Sequence, residues 1–190
     1  AMTGLLDAQA HVFADDEGQI VFRADMRLSG GSASPFDGSV LITDLSGDLA
    51  LEPGSIRIHS MDGSAGSTGL KFSGWAHRSG DDWSFDIDFG ASGLRFEDPL
   101  LGLLPPDRPA RGRIGELIER YKLEGSLDAQ LAFASDSTGK ETFRLEVQPH
   151  DLALDVRGHR LHIKESTGRI IVEPGRVGLD HWGGSFGSGS

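Results

Sequence analysis

The stretch Gly47-Asp48-Leu49-Ala50-Leu51-Glu52-Pro53-Gly54-Ser55-Ile56-Arg57-Ile58 sets larger aliphatic residues against small or charged ones on both sides of Pro53-Gly54. A period of two sends alternate side chains to opposite faces of a strand, so Leu49, Leu51, Ile56 and Ile58 fall on one apolar face. Pro53 presets φ and Gly54 accepts a positive φ, which together make a tight turn. The stretch predicts a β-hairpin with one apolar side. Gly168-Arg169-Ile170-Ile171-Val172-Glu173-Pro174-Gly175-Arg176-Val177-Gly178-Leu179 predicts the same hairpin, with Ile170, Val172, Val177 and Leu179 in the four apolar places.

Outward from this hairpin the similarity continues without a gap. Leu6-Asp7-Ala8-Gln9 recurs as Leu127-Asp128-Ala129-Gln130, an offset of 121 residues. At the same offset Phe22-Arg23 falls on Phe143-Arg144, Ile42 on Ile163, Gly63-Ser64 on Gly184-Ser185, and Met61 on Trp182. The chain is therefore expected to hold a first β-repeat over 3–68, further strands with a short helical insert over 69–125, and a second repeat over 126–190. It reads as a fragment of a longer series.

The other strands carry the same alternation. Phe22, Met26 and Leu28 alternate with Arg23, Asp25 and Arg27, and Phe143, Leu145 and Val147 alternate with Arg144 and Glu146. Leu70 to Trp75, with Phe72, is a further strand. Trp83, Phe85, Ile87 and Phe89 share a face against Ser84, Asp86 and Asp88, and Leu131 adds to the apolar set of the second repeat. Helical signal is confined to two places. Asp98-Pro99 opens Leu100 to Leu104 with a cap and an N-terminal proline, and Pro105-Pro106 ends it; Arg113 to Tyr121 spaces Ile114, Leu117 and Tyr121 helically. Two short helices cannot cover a sheet of ten or more strands. The expected fold class is all-β: a curved, taco-shaped antiparallel sheet forming an apolar groove, with one or two short helices.

Composition agrees with a thin interior. Among 190 residues there are 27 Gly, ten Phe, three Trp and one Tyr, and hydrophobic residues make up 37%. The formal net charge of −11 argues against a nucleic-acid partner, whose phosphates need a concentrated Lys/Arg surface. The absence of cysteine excludes disulfides and thiolate metal sites. No apolar run approaches the ~20 residues that span a bilayer.

The cadence Gly47-x-Leu49-x-Leu51-x-Pro53-Gly54-x-Ile56-x-Ile58-x-x-Met61-x-Gly63-x-x-Gly66, then Leu70-x-Phe72-x-Gly74, resembles the AsmA-like family of double-membraned bacteria, to which TamB and YhdP belong. The segment Leu100 to Pro105 leading into Leu123-x-Gly125-x-Leu127-x-Ala129 is similar to the joints between repeats there. The resemblance covers nearly the whole chain. It implies a repeating β-groove in the periplasm, anchored to the inner membrane through a segment outside this chain, with an outer-membrane partner and further repeats of the same chain. It also implies that phospholipid or another acyl-chain lipid slides along the groove with its headgroup in water. The groove lining would be Phe22, Met26, Leu49, Leu51, Ile56 and Ile58, then Phe72, Trp83, Phe85, Ile87 and Phe89. In the second repeat it would be Leu131, Phe143, Leu145 and Val147, with Ile170, Val172, Val177 and Leu179. The residues by themselves fit such a surface, because acyl chains present no hydrogen-bonding groups and need only a dry aliphatic wall.

No competing chemistry emerges, and neither enzymatic activity nor a cofactor is expected. His159 and His162 are three apart, an odd spacing that points them to opposite faces of a strand and not to one metal. Asp86 and Asp88 share a face as glycosidase carboxylates do, but the same alternation marks every polar face here. Asp15-Asp16-Glu17-Gly18 and Ser79-Gly80-Asp81-Asp82 lack the twelve-residue ligand spacing of a calcium loop. Gly30-Gly31-Ser32 and Gly63 to Ser67 are not phosphate loops, since no Lys-Ser/Thr follows. The alternative function is a structural or adhesive β-repeat module with a closed core and no small ligand.

Overall fold

The computed structural model describes residues 2–14, 20–34, 40–80, 82–98, 100, 116 and 118–188. Five strands precede the middle of the chain: β1 (Met2–Ala14), β2 (Ile20–Ala33), β3 (Ile42–Glu52), β4 (Ser55–Ala65) and β5 (Thr68–Ser79). Five follow: β6 (Asp82–Arg95), β7 (Glu124–Ser135), β8 (Glu141–Val156), β9 (His159–Glu173) and β10 (Arg176–Ser188). They hydrogen-bond in chain order from β1 to β10. The chain is an all-β protein built from antiparallel hairpins, the class its period-two pattern predicts.

The offset of 121 residues is visible strand by strand. β1 to β4 correspond to β7 to β10, and their pairings correspond too. Leu51 faces Ile56 and Leu49 faces Ile58 across the β3–β4 hairpin; Val172 faces Val177 and Ile170 faces Leu179 across β9–β10. The irregularities also recur. Ser46 faces Asp62 and Thr43 faces Ser64 after a register shift in the first hairpin, and their equivalents Thr167–Gly183 and Lys164–Ser185 do the same in the second. Gly54 and Gly175 hold φ of 68° and 74° at the turns, as Pro-Gly hairpins require.

Asp44 and Glu165, equivalent under the offset, both adopt left-handed backbone, at φ 55° and 52°. Each belongs to a register shift, the arrangement of a bulge that bends a strand. Asp44 is held by its side chain, whose Oδ2 accepts from Thr43 Oγ1 at 3.1 Å and from Ser64 Oγ at 3.2 Å. A few residues further along the same strands, close approach of the neighbouring strand excludes a side chain. A Cβ on Gly47 would lie 2.1 Å from the Ser60 carbonyl oxygen, and one on Gly168 would lie 2.6 Å from those of Asp180 and His181. One relation differs between the copies: β2 and β3 recover their register, with Ala33 facing Ile42, whereas Leu152 faces Ile163, a shift of two residues.

The chain forms two compact units, and their boundaries cut β6, β7 and β8 instead of following the repeat. The first comprises Ala1–Gly90 and Leu131–Arg144. Its dry interior lies at the end of the strands where β2 finishes and β3 begins: Leu28, Val40, Ile42, Leu45, Ala65 and Leu70 are buried, Leu70 to 2%. Thr68, fully buried, starts β5 beside them.

The second unit comprises Ala91–Gln130 and Leu145–Ser190. Ala91, Leu94, Leu100, Leu127, Ala153 and Ile163 are its buried apolar residues. The hydroxyl of buried Ser166 donates to the Pro149 carbonyl, so the polar group is satisfied. Of the two expected helices, 118–121 is helical, with Glu116. The one expected over 98–104 lies outside the described residues apart from its start, where Asp98 Oδ1 accepts the Leu100 N–H at 3.1 Å, as a capping residue does.

Arg160 ties the end of the 118–121 helix to the strands. Its guanidinium donates to the Lys122 carbonyl at 2.9 Å and to Asp155 at 3.1 Å, and meets Glu124 at 2.5 Å. The hydrogen bond from Arg160, with the charges of Arg160 and Lys122, holds the Asp155 carboxyl below the usual carboxylate range. A carboxylate depressed in the folded state adds stability above its unfolded pKa and loses it as pH falls through its folded pKa. The wild-type urea midpoint should therefore fall on acidification in that window, and Arg160→Met should flatten this part of the profile. Parallel profiles for the two proteins would show that the cluster carries no pH-linked stability.

Candidate functional site: an apolar strand face

In the first unit, residues directly opposite one another project to the same side. Leu6 faces Leu28, Ala8 faces Met26, Ala10 faces Ala24 and Val12 faces Phe22 across β1–β2. Met26 then faces Leu49, and Ala24 faces Leu51. Leu51 leads to Ile56 and Leu49 to Ile58, which lie opposite Ala76 and Gly74 of β5. Beyond the bulge Met61 faces Phe72, and the Phe72 ring meets that of Phe89 with centroids 5.1 Å apart. Phe85 meets Phe133 at 5.1 Å. Alternation along β6 adds Trp83 and Ile87 to the same side. Leu131, two residues before Phe133, belongs there too, and Phe143 in β8 is half-buried in the place of Phe22.

One side of these strands is thus aliphatic and aromatic from β1 to β7, and the expected lining residues of this unit share it. None of them is buried. Met26, Leu49, Leu51, Ile58, Phe72, Phe85, Phe89 and Leu131 are half-buried, while Phe22, Ile56, Trp83 and Ile87 are 41% to 47% exposed. The buried residues named above occupy the other end of the strands. An apolar face left open at this scale is costly unless covered, because each Å2 of it is worth about 25 cal/mol when removed from water.

The opposite side is ionic. Arg27 faces Asp48 across β2–β3 and pairs with it at 2.7 Å; Arg23 pairs with Asp25 at 3.2 Å and Glu52 at 3.4 Å. The hydrogen bond from Arg27 holds the Asp48 carboxyl below its usual range. A shallow depression on this side runs among Asp7, Gln9, Asp25, Arg27, Asp48 and His59. Trp75 is the aromatic exception, since it faces Arg57 and so stands on the polar side.

In the second unit the pairing is Leu145–Val172 and Val147–Ile170, continued by Val172–Val177 and Ile170–Leu179. These six expected lining residues also share one side. Leu145, Val147, Ile170 and Val172 are half-buried, and Val177 and Leu179 are 71% and 68% exposed on the last strand. Glu146, one residue out of phase, pairs with Arg169 at 3.1 Å.

Sequence reasoning missed Val12, Met61 and Phe133 as members of the first unit's face. Alternation with Leu131 marks Phe133, and the 121-residue offset equates it with Val12. Met61 was obscured by the bulge, which breaks the period between Ile58 and itself.

The faces offer dispersion contact and dryness, and no nucleophile or base lies among them. His159 and His162 lie in β9 in unbroken register with Val156 and Ala153, and so project to opposite sides. Among the described residues no three His, Asp or Glu side chains converge as metal ligands. No helix among them is long and apolar enough to cross a membrane. Asp15 to Gly18 lie outside the described residues; Ser79-Gly80 enters a turn in which Gly80 has φ 66°. Comparisons of the chain with protein-family models, with curated proteins and with solved structures return no match.

Proposed function

We propose that this chain is a segment of a lipid-transfer bridge that shelters acyl chains against its apolar strand face. The observation that carries the reading is the first unit's one-sided, uncharged and incompletely buried surface, which unites residues of seven strands. A structural module would close such a face on itself and leave its aromatic residues dry. Instead the larger dry side chains, Leu28, Val40, Ile42, Leu45 and Leu70, are at one end of the strands, and the aromatic ones stay half-open. An acyl chain laid on Phe22, Ile56 and Ile87 would remove both surfaces from water, at ~0.8 kcal/mol per CH2 covered. The resemblance to AsmA-like proteins supports the same reading and gives it a setting, the periplasm, with a phospholipid cargo.

The test is positional. A photo-crosslinking amino acid at Phe85 or Leu145 should capture lipid from bacterial membranes, and one at Asp86 or Arg144 should not. Native mass spectrometry of the purified chain should show lipid adducts. Crosslinking that ignores the face, or a chain free of lipid from every position, would favour a structural or adhesive module.

A further inference from the structure

The polar side of the first unit carries an aromatic ring that an acyl chain on the opposite side would never touch. Trp75 is 39% exposed there. It ends a row across four strands, in which Asp25 faces Ala50, Ala50 faces Arg57 and Arg57 faces Trp75. On its other flank, Gly74 of β5 lies against Asp86 and Ile87 of β6, and alternation puts Asp86 on the polar side with Trp75. His77, two residues along β5, shares that side and faces Ser55.

The polar groups around the ring are uncommitted. Elsewhere on this side Arg23 and Arg27 are tied to Asp25, Glu52 and Asp48. Among the described residues the side chains of Arg57, His77 and Asp86 make no hydrogen bond or ion pair. An exposed indole on a sheet face thus lies beside a guanidinium, an imidazole and a carboxylate, each with free hydrogen-bonding capacity. A sugar ring matches both parts: one C–H face to stack on an aromatic plane, and hydroxyls at its rim that donate and accept. Charge and polarity select against other occupants. Arg57 repels a cation and Asp86 an anion, while a hydrocarbon would cover three polar side chains and satisfy none. Neighbouring strands lie about 4.8 Å apart, so the span from Arg57 through Trp75 to Asp86 is roughly 10 Å, enough for a disaccharide.

We propose that the polar face around Trp75 is a binding site for a neutral oligosaccharide, stacked on Trp75 and hydrogen-bonded by Arg57, His77 and Asp86. It uses the side of the strands opposite the apolar face, so it stands whether or not that face carries lipid.

The test is calorimetric titration of the full chain with cellohexaose, maltohexaose and chitohexaose, all neutral, and with anionic dextran sulfate. At least one neutral oligosaccharide should bind at millimolar concentration, more tightly than dextran sulfate. Trp75→Ala should weaken it roughly tenfold or more, and Trp75→Tyr, which keeps an aromatic plane, should retain most of the affinity. Trp83→Ala, on the apolar side, should leave binding unchanged, and circular dichroism should show each variant folded. Absence of binding by all three neutral sugars would overturn the proposal, as would full affinity in Trp75→Ala or equal loss in Trp83→Ala. Tighter binding of dextran sulfate would overturn it too, by making the occupant an anion.

Discussion

Ile58→Asp should empty the apolar face of lipid while leaving the fold intact, and its neighbour Arg57→Gln should leave both lipid and fold unchanged. The two substitutions change net charge by the same amount, so any difference between them reports the face and not the field. Ile58 stands on the apolar side, between Leu49 and Gly74, and Arg57 on the polar side, between Ala50 and Trp75. With the face open to water, a carboxylate at position 58 remains solvated, and the cost to folding stays small. Once an acyl chain covers it, that carboxylate must be dehydrated against hydrocarbon at about 2.5–3.5 kcal/mol. Occupancy should then fall by roughly 100-fold. Lipid retained on purification, read by native mass spectrometry, and circular dichroism of both variants check this. Equal lipid content in the two variants would sink the lipid reading, because an acyl chain cannot be indifferent to a charge buried beneath it.

The parts of this structure that the sequence made legible are those governed by local rules. The hairpin at Pro53-Gly54 follows from two residues, and the face containing Leu49 and Ile58 follows from a period of two. The offset between the copies follows from identity at scattered positions such as Phe22 and Phe143. What escaped depends on contacts between strands distant in the chain. No local signal announces that Asp44 and Glu165 turn left-handed, since neither is glycine and the reason lies in the strand opposite. The dry interior was equally hidden. The aromatic run Trp83 to Phe89 has the richest hydrophobic pattern, yet buried positions fall on Leu28, Ile42, Leu45 and Leu70, where bulged strands and small residues such as Gly31 and Gly63 allow close packing. The division into two compact units crosses three strands and has no counterpart in chain order.

The largest loss of stability is expected at one of these hidden contacts, from Gly125→Ala. Gly125 opens β7 in the second unit at φ 126°, and a Cβ there would lie 1.7 Å from the Asp151 carbonyl oxygen and 3.3 Å from the Leu152 Cα. Both obstacles are backbone, so no side-chain rotation relieves them; β7 and β8 would have to separate where Leu127 and Ala153 are buried. Backbone strain of about 1–3 kcal/mol adds to that separation, and a total of roughly 3 kcal/mol or more is expected. Two comparisons isolate the cause. Gly139→Ala places a methyl at φ 76° with nothing within 4 Å, so it carries only the left-handed penalty of about 1–2 kcal/mol. Gly4→Ala, the repeat equivalent at φ 144°, meets the Gly31 Cα at 2.7 Å, a less severe overlap. Urea midpoints should therefore fall in the order Gly125→Ala below Gly4→Ala below Gly139→Ala. If Gly125→Ala loses no more than Gly139→Ala, the close approach of β7 to β8 does not constrain this chain, and the bulged end of the strands is not where its stability resides.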